Sequence, residues 1–310
     1  MTTDPEIGSR VVMRYRLPPG YAHPMTDVIG ELVSLDPPTV RGANGHLIRV
    51  AASRVVALKA VGVRAIRNSE IRALEHAAAD GWPGLEREWL DGWLLRAGAS
   101  FTGRANSAVP LHESANLSSL PRISRWYQDR GQRPLLLLPD RISTVPDDWQ
   151  TWDEVVVLAA DIENLMLPTG PSMVTVDDQP SAQWLSLYRY RGNLPPVWAP
   201  KMLVEVIDGV VGFGHLSGPD ATIAVARATV TTAPDDRRWV GLTAVEVGED
   251  HRRRGVGTLI CAEMIRWGQE RGATHVYLQV AAENEAALAM YANFGLVEHH
   301  RYRYATPPHE

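Results

Sequence analysis

The apolar positions of the first sixty residues recur in short runs, not at helical spacing. Val11–Tyr15, Val28–Leu35, Leu47–Val50 and Val55–Leu58 are rich in β-branched residues, and Pro18-Pro19-Gly20, Asp36-Pro37-Pro38 and Asn44-Gly45 separate them. Short strands with turn punctuation and no long helix predict a small β-barrel. From Ser69 the period changes, and Ile71, Leu74 and Ala78 share a helical face that Gly81 ends. Asp91-Gly92, set between Trp89-Leu90 and Trp93-Leu94-Leu95, reads as a hairpin turn. A second helix starts near Ser119, with Pro121 in its first turn and Ile123, Trp126 and Tyr127 inward. Gly131 ends it, and Leu135–Leu138 follows as a buried strand.

Around Leu167–Pro180 the pattern breaks into Pro, Gly, Thr and Ser, which marks a junction. Beyond it, Ser181–Arg191 reads as a helix, and Met202–Ile207 and Val210–Leu216 read as strands about Asp208-Gly209. Ala221–Val230 and Val240–Val247 are further strands. Thr258–Glu270 is an amphipathic helix burying Leu259, Ile260, Met264, Ile265 and Trp267, and Gly272 stops it. A strand at His275–Val280, a helix at Glu285–Ala292 and a last strand at Leu296–Tyr304 complete the chain. The mixture predicts an α/β (α+β) protein in three regions, residues 1–60, 61–165 and 166–310.

Composition narrows the function classes. Of the 310 residues, 45% are hydrophobic and 22% charged, enough apolar material for more than one core. A net charge of -5 argues against a broad nucleic-acid-binding surface. The single cysteine, Cys261, excludes an intrachain disulfide, fits a reducing compartment and reads as buried filler. Met1–Arg10 holds no signal-peptide core and no later run could span a bilayer, so the expected location is cytoplasmic with no membrane partner. The ten histidines have no metal-ligand spacing, no metal is expected, and His299-His300 read as surface residues of the last strand.

One segment carries chemistry. In Val245-Glu246-Val247-Gly248-Glu249-Asp250-His251-Arg252-Arg253-Arg254-Gly255-Val256-Gly257-Thr258 a strand runs into a basic, glycine-bearing turn that opens a helix. The first N–H groups of a helix lack intrahelical partners and point outward at the positive end of the dipole. Glycines there let a diphosphate approach the backbone, the arginines add charge, and Thr258 adds a hydroxyl. A Rossmann loop requires a third glycine where Ile260 stands, and a P-loop requires a lysine that is missing. A helix start with a solvated basic cap accounts for the segment equally well when it is taken alone.

The stretch Arg252-Arg253-Arg254-Gly255-Val256-Gly257 resembles the R/Q-x-x-G-x-G/A acetyl-CoA motif of the GCN5-related N-acetyltransferase (GNAT) superfamily. A second signature follows in register: Val276-Tyr277-Leu278-Gln279-Val280, then Asn284-Glu285-Ala286-Ala287, Met290-Tyr291 and Asn293-Phe294-Gly295-Leu296, where Leu296 replaces the usual Phe. The resemblance covers Gln183 to Tyr304 and implies a GNAT fold with a mixed central sheet in the C-terminal half. The middle region resembles a degenerate GNAT half, because Leu111–Leu117, before its second helix, contains no glycine. The first region is similar to an SH3-like barrel, for which a partner-binding role and a packing or dimerisation role are equally good readings, a homodimer included.

The resemblance implies acetyl-CoA as cosubstrate and an amine on a small molecule or protein as acceptor. It implies that backbone groups of Val245 and Val247 pair with the pantetheine arm, and that Arg252, Arg253, Arg254, Gly255, Val256, Gly257 and Thr258 cradle the diphosphate. Asn284 matches a pantetheine-binding position and also suits a helix N-cap. Tyr291 matches the acid that protonates the departing thiolate. The positions that supply a general base in many members hold Gly241 and Gln279 here. Glu246 is the remaining carboxylate on the strand, although alternation turns it away from the face of Val245 and Val247. The missing base leaves an alternative: a non-catalytic acyl-CoA sensor or scaffold acting through the barrel.

Overall fold

A computed structural model describes residues 5–21, 23–42, 45–60, 66–218 and 221–308, and the chain forms two compact units, Met1–Ala65 and Ile66–Glu310. Met1–Asp4 of the leader reading and Asn44 of the expected Asn44-Gly45 turn lie outside the described residues. In the first unit β1 (Arg10–Arg16), β2 (Met25–Leu35), β3 (Pro38–Gly42), β4 (Leu47–Arg49) and β5 (Val55–Ala60) form one sheet. The order is β4-β3-β2-β1-β5, with all neighbours antiparallel. Alternate residues Val11 and Met13 meet Leu32, Val40 and Val50 in its core. The sequence reading missed β3 because Pro38 ends a turn-like run. Its carbonyl nevertheless accepts from the Val50 N–H at 2.9 Å, which proline's missing donor does not prevent.

The second unit opens with α1 (Asn68–Gly81), then a small antiparallel sheet of β6 (Glu86–Leu90), β7 (Trp93–Ala97) and β8 (Val109–Pro110). There follow α2 (Leu120–Gln128), β9 (Leu136–Pro139), β10 (Gln150–Asp161), β11 (Thr175–Asp177), α3 (Ala182–Leu187) and α4 (Ala199–Leu203). The chain continues through β12 (Val210–Ser217), β13 (Thr222–Thr232), β14 (Arg238–Val247), α5 (Val256–Glu270), β15 (His275–Ala281), α6 (Glu285–Phe294) and β16 (Val297–Thr306). The large sheet has the order β11-β12-β13-β14-β15-β10-β16-β9, and only its β14–β15 pair is parallel.

The sheet is covered on both faces. One face carries α5 and α6 over Val240, Leu242, Val276 and Leu278. The other carries α1 over Trp239 and Tyr277, with α3 and α4 over Phe213 and Val225. Contact with α5 is close because a Cβ on its Gly268 would lie 2.5 Å from the Val240 side chain. Strand β10 sits between β15 and β16, so the regions expected at 61–165 and 166–310 share one sheet, and no boundary between compact units falls at residue 165. Its signal in the sequence is Val155–Ala160, a continuous apolar run that two-sided burial produces.

Two expected elements differ. Met202–Ile207 is not a strand; Pro200 opens the short helix α4 there, and β12 begins only after Asp208, at φ 46°. The helix from Ser181 stops at Leu187 because Tyr188 turns extended.

Arg227 ties the two expected regions together. Its guanidinium is fully buried and donates to the carbonyls of Leu203 (2.7 Å), Gly81 (3.0 Å) and Glu205 (3.0 Å), 4.5 Å from the Trp82 ring. Burial pushes its pKa down to about 9, so it stays charged at neutral pH, neutralised by carbonyl dipoles instead of a carboxylate. Arg227→Met leaves the buried carbonyls of Leu203 and Gly81, and the part-buried one of Glu205, without this donor. It is expected to remove about 3 kcal/mol of stability, seen as a lower urea midpoint at unchanged slope; an unaltered midpoint contradicts this account.

Candidate active site

Strands β14 and β15 pair at Trp239–His275, Val240–Val276, Gly241–Tyr277 and Leu242–Leu278, and then part. Beyond Leu242, β14 stays with β13 while β15 stays with β10 as far as Ala281. The parting coincides with a bulge on β14, where Ala244 has φ 51° and one extra residue stands against β13. The Gly248 N–H donates to Ile223 on the β13 side at 2.9 Å. Backbone direction alternates along a strand, so the N–H and C=O groups of Val245 and Val247 face the gap. The Val247 carbonyl already accepts from Arg252 Nε at 3.0 Å.

The gap opens a cleft of about 930 Å³ that runs to the start of α5. The turn before α5 places Arg253 at φ 57° and Gly255 at φ 79°, a conformation that suits glycine. The first intrahelical bond joins Leu259 N–H to the Gly255 carbonyl, which leaves the N–H groups of Val256, Gly257 and Thr258 free. A Cβ on Gly257 would press on Met290 Sδ at 3.3 Å, so glycine keeps that wall open.

The cleft brings together Val245, Glu246, Val247, Arg252, Arg253, Gly255, Gly257, Thr258, Asn284 and Tyr291. Arg254 is exposed outside it, and Val256 turns its side chain into the core while its N–H stays among the free groups at the helix start. Asn284 is the α6 N-cap, accepting from the Ala287 N–H at 3.1 Å, and its side chain also borders the cleft. Glu246 leaves β14 on the face opposite Val245 and Val247. It is half-buried, and desolvation raises its pKa against the pull of Arg252 and Arg189.

Tyr291 is 6% exposed, and its hydroxyl lies 3.9 Å from the Sγ of fully buried Cys261. Burial holds the Tyr291 phenol well above its ordinary pKa and pushes the Cys261 thiol up to about 12. Both therefore stay protonated at neutral pH. At Gly241 a Cβ would lie 2.2 Å from the Tyr277 hydroxyl, so a phenol fills the space a side chain at 241 would take. Trp184 and Tyr188 belong to the core, with Trp184 Nε1 donating to the Gly214 carbonyl at 3.1 Å.

Gln279 joins the cleft to a buried polar chain that sequence reasoning missed. Its Oε1 accepts from Arg104 Nη1 at 2.7 Å, and its Nε2 reaches Glu75 Oε1 at 3.4 Å. His300 Nε2 lies 2.9 Å from the same carboxylate oxygen, and His299 Nδ1 lies 2.9 Å from His300 Nδ1. The two histidines are thus not the surface pair expected from a terminal strand. His300 pairs with Val157 of β10 and reaches Glu75 of α1, which buries it between the sheet and that helix. Arg104 comes from the middle region, and no local pattern marks it.

A family described as "Probable histone acetyltransferase Rv0428c C-terminal" matches residues 68–305. "Probable histone acetyltransferase Rv0428c" of Mycobacterium tuberculosis is 41% identical over 306 residues, 97% of this chain and 96% of that protein. The chain belongs to the Rv0428c-type acetyltransferase family. A second relative, "Uncharacterized N-acetyltransferase YobR" of Bacillus subtilis, is 25% identical over 254 residues, covering 76% of this chain and 98% of its own. The fold is that of a GCN5-related N-acetyltransferase from Kribbella flavida, with TM-score 0.54 at 16% identity over 80% of this chain and 98% of that one. A GNAT-family acetyltransferase from Novosphingobium aromaticivorans gives TM-score 0.50 at 15% identity, over 74% and 95%.

Membership makes this Rv0428c-type protein an N-acetyltransferase, and its fold is the one that GNAT structures share. It also corrects the first region, because residues 5–59 match "Rv0428c N-terminal Sm-like domain" and not an SH3-like one. Both are small five-strand folds whose turn and strand spacing look alike in one sequence. Among the described residues no helix is long and apolar enough to cross a membrane.

Partly buried His299 makes stability depend on pH. Burial and neighbouring His300 push the His299 pKa down to about 3. A histidine depressed in the folded state contributes stability that is full above its unfolded pKa and is lost as pH falls toward the folded value. The stability of the wild type is expected to fall from pH 6.5 toward pH 3, with His299 contributing at most about 1.4 kcal/mol per unit. His299→Gln should flatten that slope in chemical unfolding at pH 7, 6, 5 and 4. Parallel curves for the two proteins contradict the assignment.

Proposed function

We propose that the chain transfers the acetyl group of acetyl-CoA directly to an amine, within the gap between β14 and β15. The observation that carries this reading is the edge of β14 at Val245 and Val247, which no neighbouring strand pairs and where only the Val247 carbonyl is engaged, by Arg252, leading straight to the free N–H groups at the glycine-led start of α5. An extended amide-bearing arm can pair with the first as an added strand. A diphosphate fits the second, with Arg252 and Arg253 at the rim and Arg254 adding charge from outside. The Asn284 side chain, already capping α6 through its oxygen, keeps its amide for the arm.

The amine lone pair attacks the thioester carbonyl carbon, the C–N bond forms, the C–S bond breaks, and the products are an N-acetyl amine and a thiol. The Val247 N–H polarises the carbonyl as negative charge develops on its oxygen. Tyr291, held protonated by burial, donates its proton to the departing thiolate and recovers one from solvent. Glu246 takes the proton that the nitrogen loses, through water, since its side chain sits on the far face of β14. Its raised pKa makes it a better proton acceptor than an exposed glutamate. The middle region reads as a GNAT half without a phosphate loop, which supports one cosubstrate site per chain.

Acetyl-CoA turnover on a panel of amines tests the reading. The wild type is expected to release free thiol, and Tyr291→Phe to lower kcat by about 10²-fold or more while calorimetry shows acetyl-CoA bound as before. A folded wild type that binds no acetyl-CoA, or a Tyr291→Phe variant with full kcat, contradicts it.

A further inference from the structure

The gap has a cation where a base is expected. The diphosphate cradle lies at its α5 end, so the acetyl end of the arm points the other way, toward Leu242–Leu278, where β14 and β15 close. Arg104 and Gln279 line the wall there. Among the described residues that line the gap there is no histidine and one carboxylate, Glu246, against the arginines Arg104, Arg252 and Arg253. The last two belong to the diphosphate end, which leaves Arg104 as the cation of the reacting end. Its guanidinium is permanently charged. Among the described residues it makes one hydrogen bond, to Gln279 Oε1 at 2.7 Å, a ring contact with Trp82 at 5.6 Å, and no ion pair.

The neighbouring charges do not cancel it. Burial raises the pKa of Tyr188, Tyr277, Tyr302 and Tyr304, so these face Arg104 as neutral phenols. At Tyr188, Tyr277 and Tyr304, Arg104 is the strongest charge opposing that rise. Helix α1 offers Glu75, which His300 engages and which meets Arg104 only across the Gln279 amide. Behind the Trp82 ring, buried Arg227 adds a second cation. Strand β10 offers Asp153, which Arg191 pairs. Glu283 borders a neighbouring cleft that Arg104 also lines, but not the gap itself, and it is exposed, so water and salt screen it. Glu246 leaves β14 on the far face, beside Arg252 and Arg189.

The loop that delivers Arg104 is strained. Ala99, Ser100 and Thr102 have φ of 47°, 63° and 66°, in the left-handed region that side-chain-bearing residues avoid. Asn106 holds them there: its Oδ1 accepts from the N–H groups of Gly98 and Ser100, and its Nδ2 donates to the carbonyls of Phe101 and Thr102. The Tyr190 hydroxyl accepts from the Gly103 N–H at 3.1 Å and pins the same loop from the other side. Such strain persists where the surroundings over-determine it, typically at a functional site.

We infer that Arg104 keeps the bound acceptor amine neutral, and so replaces the first of the two deprotonations that a base at position 279 would perform. This rests on the acetyl-transfer reading above. An ammonium group beside a guanidinium is disfavoured, whereas the neutral amine brings its lone pair in without that repulsion. The acceptor gives one proton to solvent before it seats. It loses a second as the C–N bond forms, and that proton goes to Glu246. The device suits a lysine side chain, whose ammonium form predominates in water and cannot attack. Without Arg104 the ammonium would occupy the site unproductively, lowering KM and kcat by the same factor.

The test uses the full chain at saturating acetyl-CoA, with a lysine-bearing peptide blocked at its N-terminus, simple alkyl amines, and fluorinated alkyl amines of lower basicity. Both kcat and kcat/KM are followed from pH 6 to pH 10. In the wild type the acid limb of kcat should lie about one unit or more below the pKa of the free amine, which is about 10.4 for lysine. Across the panel the limb should follow the basicity of the acceptor. Arg104→Gln should raise the limb by about one unit, lowering kcat and KM together about tenfold at pH 7 while kcat/KM stays within about twofold. Arg104→Lys, which keeps a cation, should leave the limb near its wild-type place. Calorimetric titration of acetyl-CoA into both variants reports that they fold with the cosubstrate site formed. The inference fails if the limb does not move in Arg104→Gln, if the wild-type limb sits at the free amine's value or ignores the acceptor's basicity, or if kcat/KM is lost at every pH. Any of these with turnover intact removes the role of Arg104 alone, whereas a wild type that binds no acetyl-CoA or acetylates no amine removes the transfer reading and this inference with it.

Discussion

Strands β14 and β15 hold together for four residue pairs and then follow different partners, β13 on one side and β10 on the other. A sheet interior normally satisfies every backbone donor and acceptor, and leaving such groups buried without partners is costly. Here the bulge at Ala244 turns β14, and the exposed polar edge of Val245 and Val247 stays open to the cleft. The rest of the site is arranged around that open edge. Helix α5 begins where the edge ends, α6 sets Tyr291 and Asn284 along the opposite wall, and the glycines keep the floor clear.

The wall that keeps β15 apart from β14 is built by the upstream region. Strand β10 pairs with β15 from Val155 to Asp161, and Arg227 binds the end of α1 through the Gly81 carbonyl. Residues upstream of the recognisable motif thus shape the cleft and supply Arg104 to it. The polar chain from Arg104 through Gln279 and Glu75 to His300 is buried between α1 and the sheet, where each group is satisfied by the next. Such a network fixes the relative position of the elements it spans, and here it fixes the side of the gap opposite Tyr291.

The strand, turn and helix start that form the proposed cosubstrate half of the site were legible because they rest on local rules. A strand, a basic glycine turn and a helix start are contiguous between Val245 and Thr258, and Asn284 and Tyr291 follow at short helical spacing. The same segment also predicted correctly that Glu246 faces away from Val245 and Val247. What escaped depends on distant pairing. Strand β10 reads as an apolar run whose neighbours lie more than a hundred residues away, and His299-His300 look exposed until β10 lies beside their strand and Glu75 of α1 meets His300. Met202–Ile207 has strand-like composition, but Pro200 starts a helical turn and Arg227 takes the carbonyls of Leu203 and Glu205. Arg104 has no motif at all, since its place follows from a strained loop that Asn106 and Tyr190 hold.

The central claim is that the open edge of β14 is where the cosubstrate binds, and amide hydrogen exchange tests it most directly. With acetyl-CoA added, the amides of Val245 and Val247 should exchange more slowly by about tenfold or more, together with those of Val256, Gly257 and Thr258. Gly248, already bonded to Ile223, should change little. Unchanged exchange at Val245 and Val247 under saturating acetyl-CoA, or protection confined to another part of the chain, would contradict the account.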